Sequence, residues 1–380
     1  MNILKRIINY FGVETNTKPH IVNLFRARLL YNLSLYFLAR KLNLSRLPYK
    51  PINLMVEVST ACNFLCQTCE RELYKKELGG LPKENVRLEN IRKLAPVLPY
   101  VYSIYLVSGL GEPFLNPEFW QIHAYLKSFK IKTGYFSNAS LLTDELIEKT
   151  FMEKVNTITI SVDAFDKDKY SYIKKGGDYE KTLKIIDSFS HYKNKFNAGY
   201  FSLGLNFIFR RDNYKDILDY LEFAQKIGVN YVHCNTLIVH LEKDKDLSFF
   251  NVPEQQQREI FAAAEKKAKD LNIGIRLPEI GIKSPQMCGY LWRCMCVFYD
   301  GDVCACPYFR TDRNFYYHVD GDKIIYDKKR VGNTVLGNYL KQNINDIWNG
   351  KKARNLRAGQ LDESKAVSPC DTCYYKYNVH

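Results

Sequence analysis

Ten of the eleven cysteines fall in two groups, and the first group is the tightest. It reads Cys62-Asn63-Phe64-Leu65-Cys66-Gln67-Thr68-Cys69, a C-x3-C-x2-C. Three thiolates from one short loop hold three irons of a cubane cluster and leave the fourth iron without a protein ligand. An open metal position is what catalysis needs, as in catalytic zinc sites. A zinc knuckle or a structural cluster is the alternative. Zinc prefers a fourth Cys or His nearby, and none lies within twenty residues on either side. The second group is Cys288, Cys294, Cys296, Cys304, Cys306, Cys370 and Cys373. An odd total in a large chain with no export signal argues against a disulfide framework and for two metal sites.

The elements that must position these groups alternate in type. Strands are expected at 54–58, 104–107, 133–137, 157–162, 201–209 and 231–235. Helices are expected at about 117–129, 143–153, 179–192 and 214–227. Alternating β and α means a parallel sheet with helices outside it. Six units are fewer than a closed barrel needs, so a partial (β/α)6 barrel is expected, with chemistry at the C-terminal strand ends. A further helix is expected over 251–272. Cys296–Cys306 alternates around Asp300-Gly301, a hairpin signal, and His318–Tyr326 repeats it around Asp320-Gly321. A helix near 344–357 precedes the last cysteine pair. The organisation expected is an N-terminal extension over 1–50, a barrel over 51–245, a connecting helix over 246–282 and a cysteine-rich domain over 283–380.

Composition sets limits. The chain is 46% hydrophobic and 25% charged, enough to bury a core. Its net charge is +14, and residues 1–50 carry nine Lys and Arg against Glu14 alone, a net +8. Residues 20–44 are expected to form a basic amphipathic helix that packs on the barrel; an anionic membrane surface is its alternative partner. No apolar run reaches the ~20 residues of a membrane span, and no signal peptide is evident, so a cytoplasmic location is expected. Basic charge with Tyr 28 and Phe 22 raises nucleic acid, but the aromatics are spread out and no Arg- or Lys-rich run appears, so none is expected.

The first cysteine group resembles that of the radical S-adenosylmethionine (SAM) enzyme superfamily, over about residues 52–240. The resemblance implies the partial barrel, a 4Fe–4S cluster on Cys62, Cys66 and Cys69, and S-adenosylmethionine chelating the open iron. One electron, from an external flavodoxin- or ferredoxin-type reductant, then yields a 5′-deoxyadenosyl radical that removes a hydrogen atom from substrate. Ser108-Gly109-Leu110-Gly111-Glu112-Pro113 resembles the family's GGEP segment, so Gly109, Gly111, Glu112 and Pro113 are implied around the methionine amino group. Ser137 and Asn138 end the third strand, and Ser161 and Asp163 end the fourth; both pairs resemble ribose and methionine contacts. Arg210, after the fifth strand, is implied as a partner for the cofactor carboxylate. The residue before the third cysteine is often aromatic in the family and is Thr68 here, so the adenine lacks that packing partner.

The C-terminal pattern is Cys288-x12-Gly301-x4-Cys306, then Leu336-Gly337-Asn338, Asp346-Ile347-Trp348-Asn349 and Cys370-x2-Cys373. It resembles the SPASM/twitch extension of these enzymes. With no cysteine after Cys373, the shorter twitch form is expected, an α+β domain with one auxiliary 4Fe–4S cluster on Cys288, Cys306, Cys370 and Cys373. Cys294 resembles an additional ligand of some SPASM proteins. A zinc ribbon from Cys294, Cys296, Cys304 and Cys306 is the alternative.

Two reactions fit a small-molecule, sugar or peptide substrate. In the first, the substrate is oxidised and its electron passes to the auxiliary cluster. In the second, a redox-neutral epimerisation, Cys234 at the end of the sixth strand returns a hydrogen atom. The alternative, a small buried apolar side chain, is what free cysteine very often is, and the oxidative reaction, which needs no special use of Cys234, is the one expected. A non-enzymatic iron–sulfur electron carrier is the reading from a different class.

Overall fold

The computed structural model describes residues 24–80, 82–107, 109–280, 288–308, 310, 313–315, 318–320, 323–325, 329–371 and 373. The expected strands form as β1 (Asn53–Glu57), β2 (Ser103–Val107), β3 (Lys132–Ser137), β4 (Thr157–Ser161), β5 (Ser202–Phe209) and β6 (Tyr231–Thr236). They pair in parallel in sequence order, with Leu54 opposite Ile104 and Leu205 opposite Val232. A three-residue β7 (Gly274–Arg276) adds a parallel strand beside β6. Sequence periodicity missed it because three residues carry no period.

Strand alternation divides the side chains into two sets. Leu54, Val56, Ile104, Leu106, Ile158, Ile160, Leu203, Leu205 and Val232 are buried with Ile122, Ile147, Phe151, Ile186, Phe189 and Leu221 of the surrounding helices. The opposite set fills the barrel interior. Tyr105, Phe136 and His233 stand ring to ring, at 6.3 Å and 6.1 Å between centroids. Tyr231 hydroxyl lies 2.6 Å from Thr159 Oγ1. Its ring passes over Gly204 so closely that a Cβ there would collide with ring carbon Cε1 at 2.6 Å. These half-buried rings occupy much of the lower barrel, and the cavity described below opens at the C-terminal strand ends.

The cysteine-rich segment is not a separate appendage. β8 (Cys294–Val297) pairs in parallel with β1, Asn53 opposite Cys294. β9 (Asp302–Cys304) returns antiparallel to β8, which confirms the hairpin around Asp300-Gly301. β10 (Arg313–Phe315) pairs with β13 (Lys329–Val331), and β11 (His318–Asp320) with β12 (Lys323–Ile325). β14 (Val335–Asn338) closes the edge on β9. The main sheet thus has ten strands in the order β14-β9-β8-β1-β2-β3-β4-β5-β6-β7.

The N-terminal helix, Leu24–Lys41, packs on this body; the expected residues 20–23 lie outside those described. It buries Leu33, Tyr36 and Ala39. Asn32 holds it by donating to the carbonyls of Lys50 and Tyr100 at 3.0 and 3.1 Å. Beyond it, Trp348 Nε1 donates to the Tyr49 carbonyl at 2.8 Å, and Trp292 Nε1 to the Leu44 carbonyl at 3.1 Å. Buried Arg357 joins both, donating to Leu291 and Trp348 carbonyls at 2.8 and 2.9 Å. The basic arm and the C-terminal helices are one packed unit. No helix among the described residues is long and apolar enough to cross a membrane.

Candidate active site

From the end of β1 the chain runs through Val58–Ala61 into the first cysteine loop. The loop is held by backbone groups on both sides. Leu65 N–H donates to the Lys175 carbonyl at 2.8 Å and Gln67 N–H to the Ile173 carbonyl at 3.0 Å. Arg71 Nη1 donates to the carbonyls of Thr60 and, at 2.7 Å, Leu110. Cys62, Cys66 and Cys69 are unbridged and within electrostatic reach of one another. Burial pushes the Cys62 thiol up and the Cys69 thiol up to about 12. Such a setting disfavours bare thiolates, and metal coordination is what deprotonates them. Three mutually close, half-buried thiols on a pinned loop fit the iron cluster. Among the described residues no three His, Cys, Asp or Glu side chains close around a single metal ion; a cluster instead asks for one thiolate per iron.

The loop after β2 is seated on this one by backbone contact. Glu112 N–H donates to the Ala61 carbonyl at 2.6 Å, and a Cβ on Gly111 would lie 2.6 Å from that same oxygen. Only glycine allows this approach. The Glu112 carboxylate, 2% exposed, accepts from Ser137 Oγ and Asn138 N–H, both at 2.8 Å. It also caps the turn that Pro113 opens, through Phe114 N–H at 3.5 Å. Burial outweighs these bonds and pushes Glu112 up to about 7. Asn138 in turn reaches the cysteine loop, its Nδ2 donating to Asn63 Oδ1 at 3.0 Å and lying 4.0 Å from Cys62 Sγ. The expected cofactor contacts therefore form a network that braces the loop. Gly109 adds none of its own, but the place of its missing Cβ is 3.5 Å from Glu57 Oε1.

Two charged residues prove to be internally paired. Asp163 forms a buried ion pair with Lys174 and accepts from Asn206 Nδ2 at 3.0 Å. Burial works against the Lys174 cation, but Asp163 and nearby Cys66 hold its ammonium above the usual range. Arg210 is gripped by Asp212, at 2.8 Å from Nε, and donates to Gln67 Oε1 at 3.0 Å. It is thus tied to the cysteine loop and paired with Asp212, which gives it a positioning contact beside the expected one to the cofactor carboxylate. Ser161 ends β4 half-buried, opposite Asn206.

A cavity of about 210 Å³ opens beside this loop, lined by Thr68, Ile208, Asn235, Thr236, His240 and Tyr308, among others. Tyr308 comes from the auxiliary segment, two residues past Cys306. Cys234 does not reach this cavity. It is 3% exposed on the helix-facing side of β6, opposite Phe207, while Asn235 points the other way. Burial holds its thiol well above the ordinary value. Strand alternation thus turns Cys234 into the core and away from this cavity, which is evidence against the expected hydrogen-donor role.

The second cysteine group is one neighbourhood with Cys306 at its centre. Cys306 has Cys288, Cys373 and Cys304 within electrostatic reach, and burial pushes its thiol well up. Cys296 has Cys294, Cys304 and Cys306 within the same reach. Cys370 packs against the main core. Cys294, Cys296 and Cys304 also pack together as a buried apolar cluster with Phe298. The zinc-ribbon alternative has no converged four-thiol set among the described residues.

Sequence reasoning missed Arg71, Lys174, Glu57, Arg310 and Tyr308. Arg71 had one signal, its place directly after the third cysteine and Glu70. Lys174 and Tyr308 had none, because their partners are distant in sequence. Glu57, 2% exposed at the end of β1, has no well-formed side-chain hydrogen bond among the described residues, and the Tyr299 backbone gives it only weak support. Arg310 Nη1 lies 3.7 Å from it. Burial, only partly offset by Arg310, pushes Glu57 up to about 7.

Comparison with known proteins agrees with this geometry. Residues 56–224 match the radical SAM superfamily, and residues 288–374 match SPASM, an iron–sulfur cluster-binding domain. The chain is 22% identical over 307 residues to the tungsten-containing aldehyde ferredoxin oxidoreductase cofactor-modifying protein of Pyrococcus furiosus, across 79% of this chain and 81% of that protein. It is 25% identical over 185 residues to a probable GTP 3′,8-cyclase of Methanocaldococcus jannaschii, across 46% and 56%. The fold is similar to that of Streptococcus suis SuiB bound to S-adenosylmethionine, with TM-score 0.63, 15% identity and coverage of 94% and 79%. It is also similar to anSMEcpe with bound AdoMet, with TM-score 0.59, 14% identity and coverage of 86% and 88%. At such identities the structural likeness is one of fold. The chain thus carries a radical SAM superfamily domain over residues 56–224 and an iron–sulfur cluster-binding SPASM domain over residues 288–374, which together imply S-adenosylmethionine, the 4Fe–4S cluster that binds it and auxiliary iron–sulfur chemistry.

Proposed function

We propose that this enzyme is an oxidoreductase that removes a hydrogen atom from a small-molecule, sugar or peptide substrate, whose radical then loses a proton to solvent and an electron to one auxiliary cluster. Cys62, Cys66 and Cys69 hold the cluster that binds S-adenosylmethionine; Cys288, Cys306, Cys370 and Cys373 hold the auxiliary one. When bound, S-adenosylmethionine supplies a 5′-deoxyadenosyl radical, able to attack C–H bonds that no side chain can. The chain's own contribution is positional. Arg71, Asn138 and Gln67 fix the first cysteine loop, and the ring layer of Tyr105, Phe136 and His233 lies in the barrel interior beneath it.

One observation carries the oxidative reading. Thr68, next to Cys69, and Tyr308, two residues past Cys306, line the same cavity, so chain neighbours of both cysteine groups meet at one space. An electron acceptor that close to the first cysteine group favours oxidation of a substrate held at the same end of the barrel. The competing epimerisation needs a thiol facing the barrel interior, and Cys234 is turned to the helix side. The reductant is proposed to be a small flavodoxin- or ferredoxin-type carrier. A peptide or a cofactor-like small molecule suits the substrate role: SuiB is known bound to the precursor peptide SuiA, and the Pyrococcus furiosus relative is named for modifying a cofactor.

The test is turnover of candidate substrates in heavy water. A product two electrons more oxidised, with no solvent deuterium retained, is expected. Deuterium fixed at an inverted carbon would overturn oxidation in favour of epimerisation.

A further inference from the structure

The cavity beside the first cysteine group takes its walls from widely separated parts of the chain. Thr68 belongs to the cysteine loop, Ile208 and Asn235 to the ends of β5 and β6, His240 to the segment beyond β6, and Tyr308 to the SPASM-type segment. At about 210 Å³ it is smaller than the roughly 300–1,000 Å³ of sites for drug-sized ligands. It suits a single ring system rather than a length of peptide.

Its location restricts what that ring belongs to. Thr68 immediately precedes Cys69, and S-adenosylmethionine is anchored at the cluster through its methionine end. The nucleoside must lie within the short reach of that anchor. The walls also suit a purine: apolar Ile208 and an aromatic face, with the amide of Asn235, the hydroxyl of Thr68 and the imidazole of His240 for its polar edge. Position 68 itself brings a hydroxyl and a methyl, not a ring.

We propose that Tyr308 is the stacking wall for the adenine of S-adenosylmethionine, so that barrel and SPASM-type segment bind the cofactor jointly. A second observation supports it. The Tyr308 ring is met edge-on by Tyr290, with centroids 6.3 Å apart and planes at 90°. Tyr290 itself packs on the buried Cys294, Cys296, Cys304 and Phe298 cluster. The cysteine-rich cluster thus backs Tyr290, and Tyr290 backs the Tyr308 ring that borders the cavity. Binding of the cofactor and ordering of the auxiliary segment are then coupled, and such coupling is reciprocal. The inference holds whichever reaction follows hydrogen-atom removal.

The experiment is equilibrium dialysis of S-adenosylmethionine and of 5′-deoxyadenosine against the anaerobically reconstituted full chain. Unsubstituted protein, Tyr308→Phe and Tyr308→Leu are compared at equal iron content, which excludes variants that failed to assemble. Stacking of a base on an aromatic side chain predicts that Tyr308→Leu weakens both ligands roughly tenfold or more, while Tyr308→Phe stays within about threefold. Unchanged affinity in Tyr308→Leu would overturn the proposal, as would a Tyr308→Phe protein as weak as Tyr308→Leu. Electron paramagnetic resonance of the reduced, unsubstituted chain separates the other failure. A spectrum indifferent to S-adenosylmethionine would remove the cofactor assignment itself.

Discussion

Residues that spacing singled out for cofactor contact turn out, in large part, to hold one another. Glu112, Ser137 and Asn138 form one hydrogen-bonded set under Cys62, and Arg210 is clasped by Asp212 while it steadies Gln67. The Asp163–Lys174 pair is the most exacting of these contacts, because both groups are buried. Removing one partner of a buried pair leaves an uncompensated charge and costs about 3–5 kcal/mol. Lys174→Met is therefore expected to unfold at lower denaturant by about that amount, and Lys174→Met with Asp163→Asn to recover part of it; urea titration of the apoprotein measures both. Glu57 sets a pH dependence. Its carboxyl rises from 4.5 in water to about 7 when buried, so the folded state holds the proton more tightly than the unfolded one. That stabilising contribution is complete below pH 4.5 and is lost as pH rises through 7. Glu112 is raised to about 7 as well and acts with the same sign. Thermal unfolding of Glu57→Gln between pH 5 and 8 is expected to show a shallower decline than the unsubstituted chain, by at most about 3 kcal/mol at the upper end. An identical slope would show that Glu57 ionises in the fold without penalty.

At the scale of elements, the decisive contact is β8 against β1. β1 carries the first cysteine loop and is hydrogen-bonded on both edges, to β2 and to β8. A strand that loses one neighbour exposes a row of unpaired amides and an aggregation-prone edge. A chain ending at residue 282 is accordingly expected to lose hydrogen-exchange protection in β1 while β3 to β5 keep theirs. Equal protection of β1 in the shortened chain would mean that the SPASM-type segment is an independent domain. The N-terminal helix behaves similarly. Its Asn32 clamp joins Lys50 to Tyr100, and Tyr49 and Leu44 receive the indoles of Trp348 and Trp292. The arm that charge alone marks as a candidate binding surface is, in its described part, structural packing.

For the whole molecule, two clusters predict about eight irons and eight sulfides per chain after anaerobic reconstitution. Cys306→Ser is expected to lower this to about four, and Cys296→Ala to leave it near eight, because Cys296 sits in the apolar cluster with Cys294, Cys304 and Phe298. Iron analysis of the two variants checks the division, and loss of iron in Cys296→Ala would reassign the ligands. Much of this protein was legible before folding was considered. The six barrel strands follow from hydrophobic alternation, and the first cluster loop follows from three cysteines in eight residues, since short-range spacing is preserved in any fold. The SGLGEP segment was readable for the same reason. What depended on distant partners was not. β7 is too short to show a period, and nothing near Cys294 announces that it will lie opposite Asn53. The orientation of Cys234 was decided by strand register, which turns successive side chains to opposite faces and sent this thiol into the core. The cavity shared by Thr68 and Tyr308 exists only because the sheet brings residues 240 positions apart to one place. Local chemistry was written in the chain, and the meeting of the two cysteine groups was settled by tertiary packing, which alone determines what distant residues face.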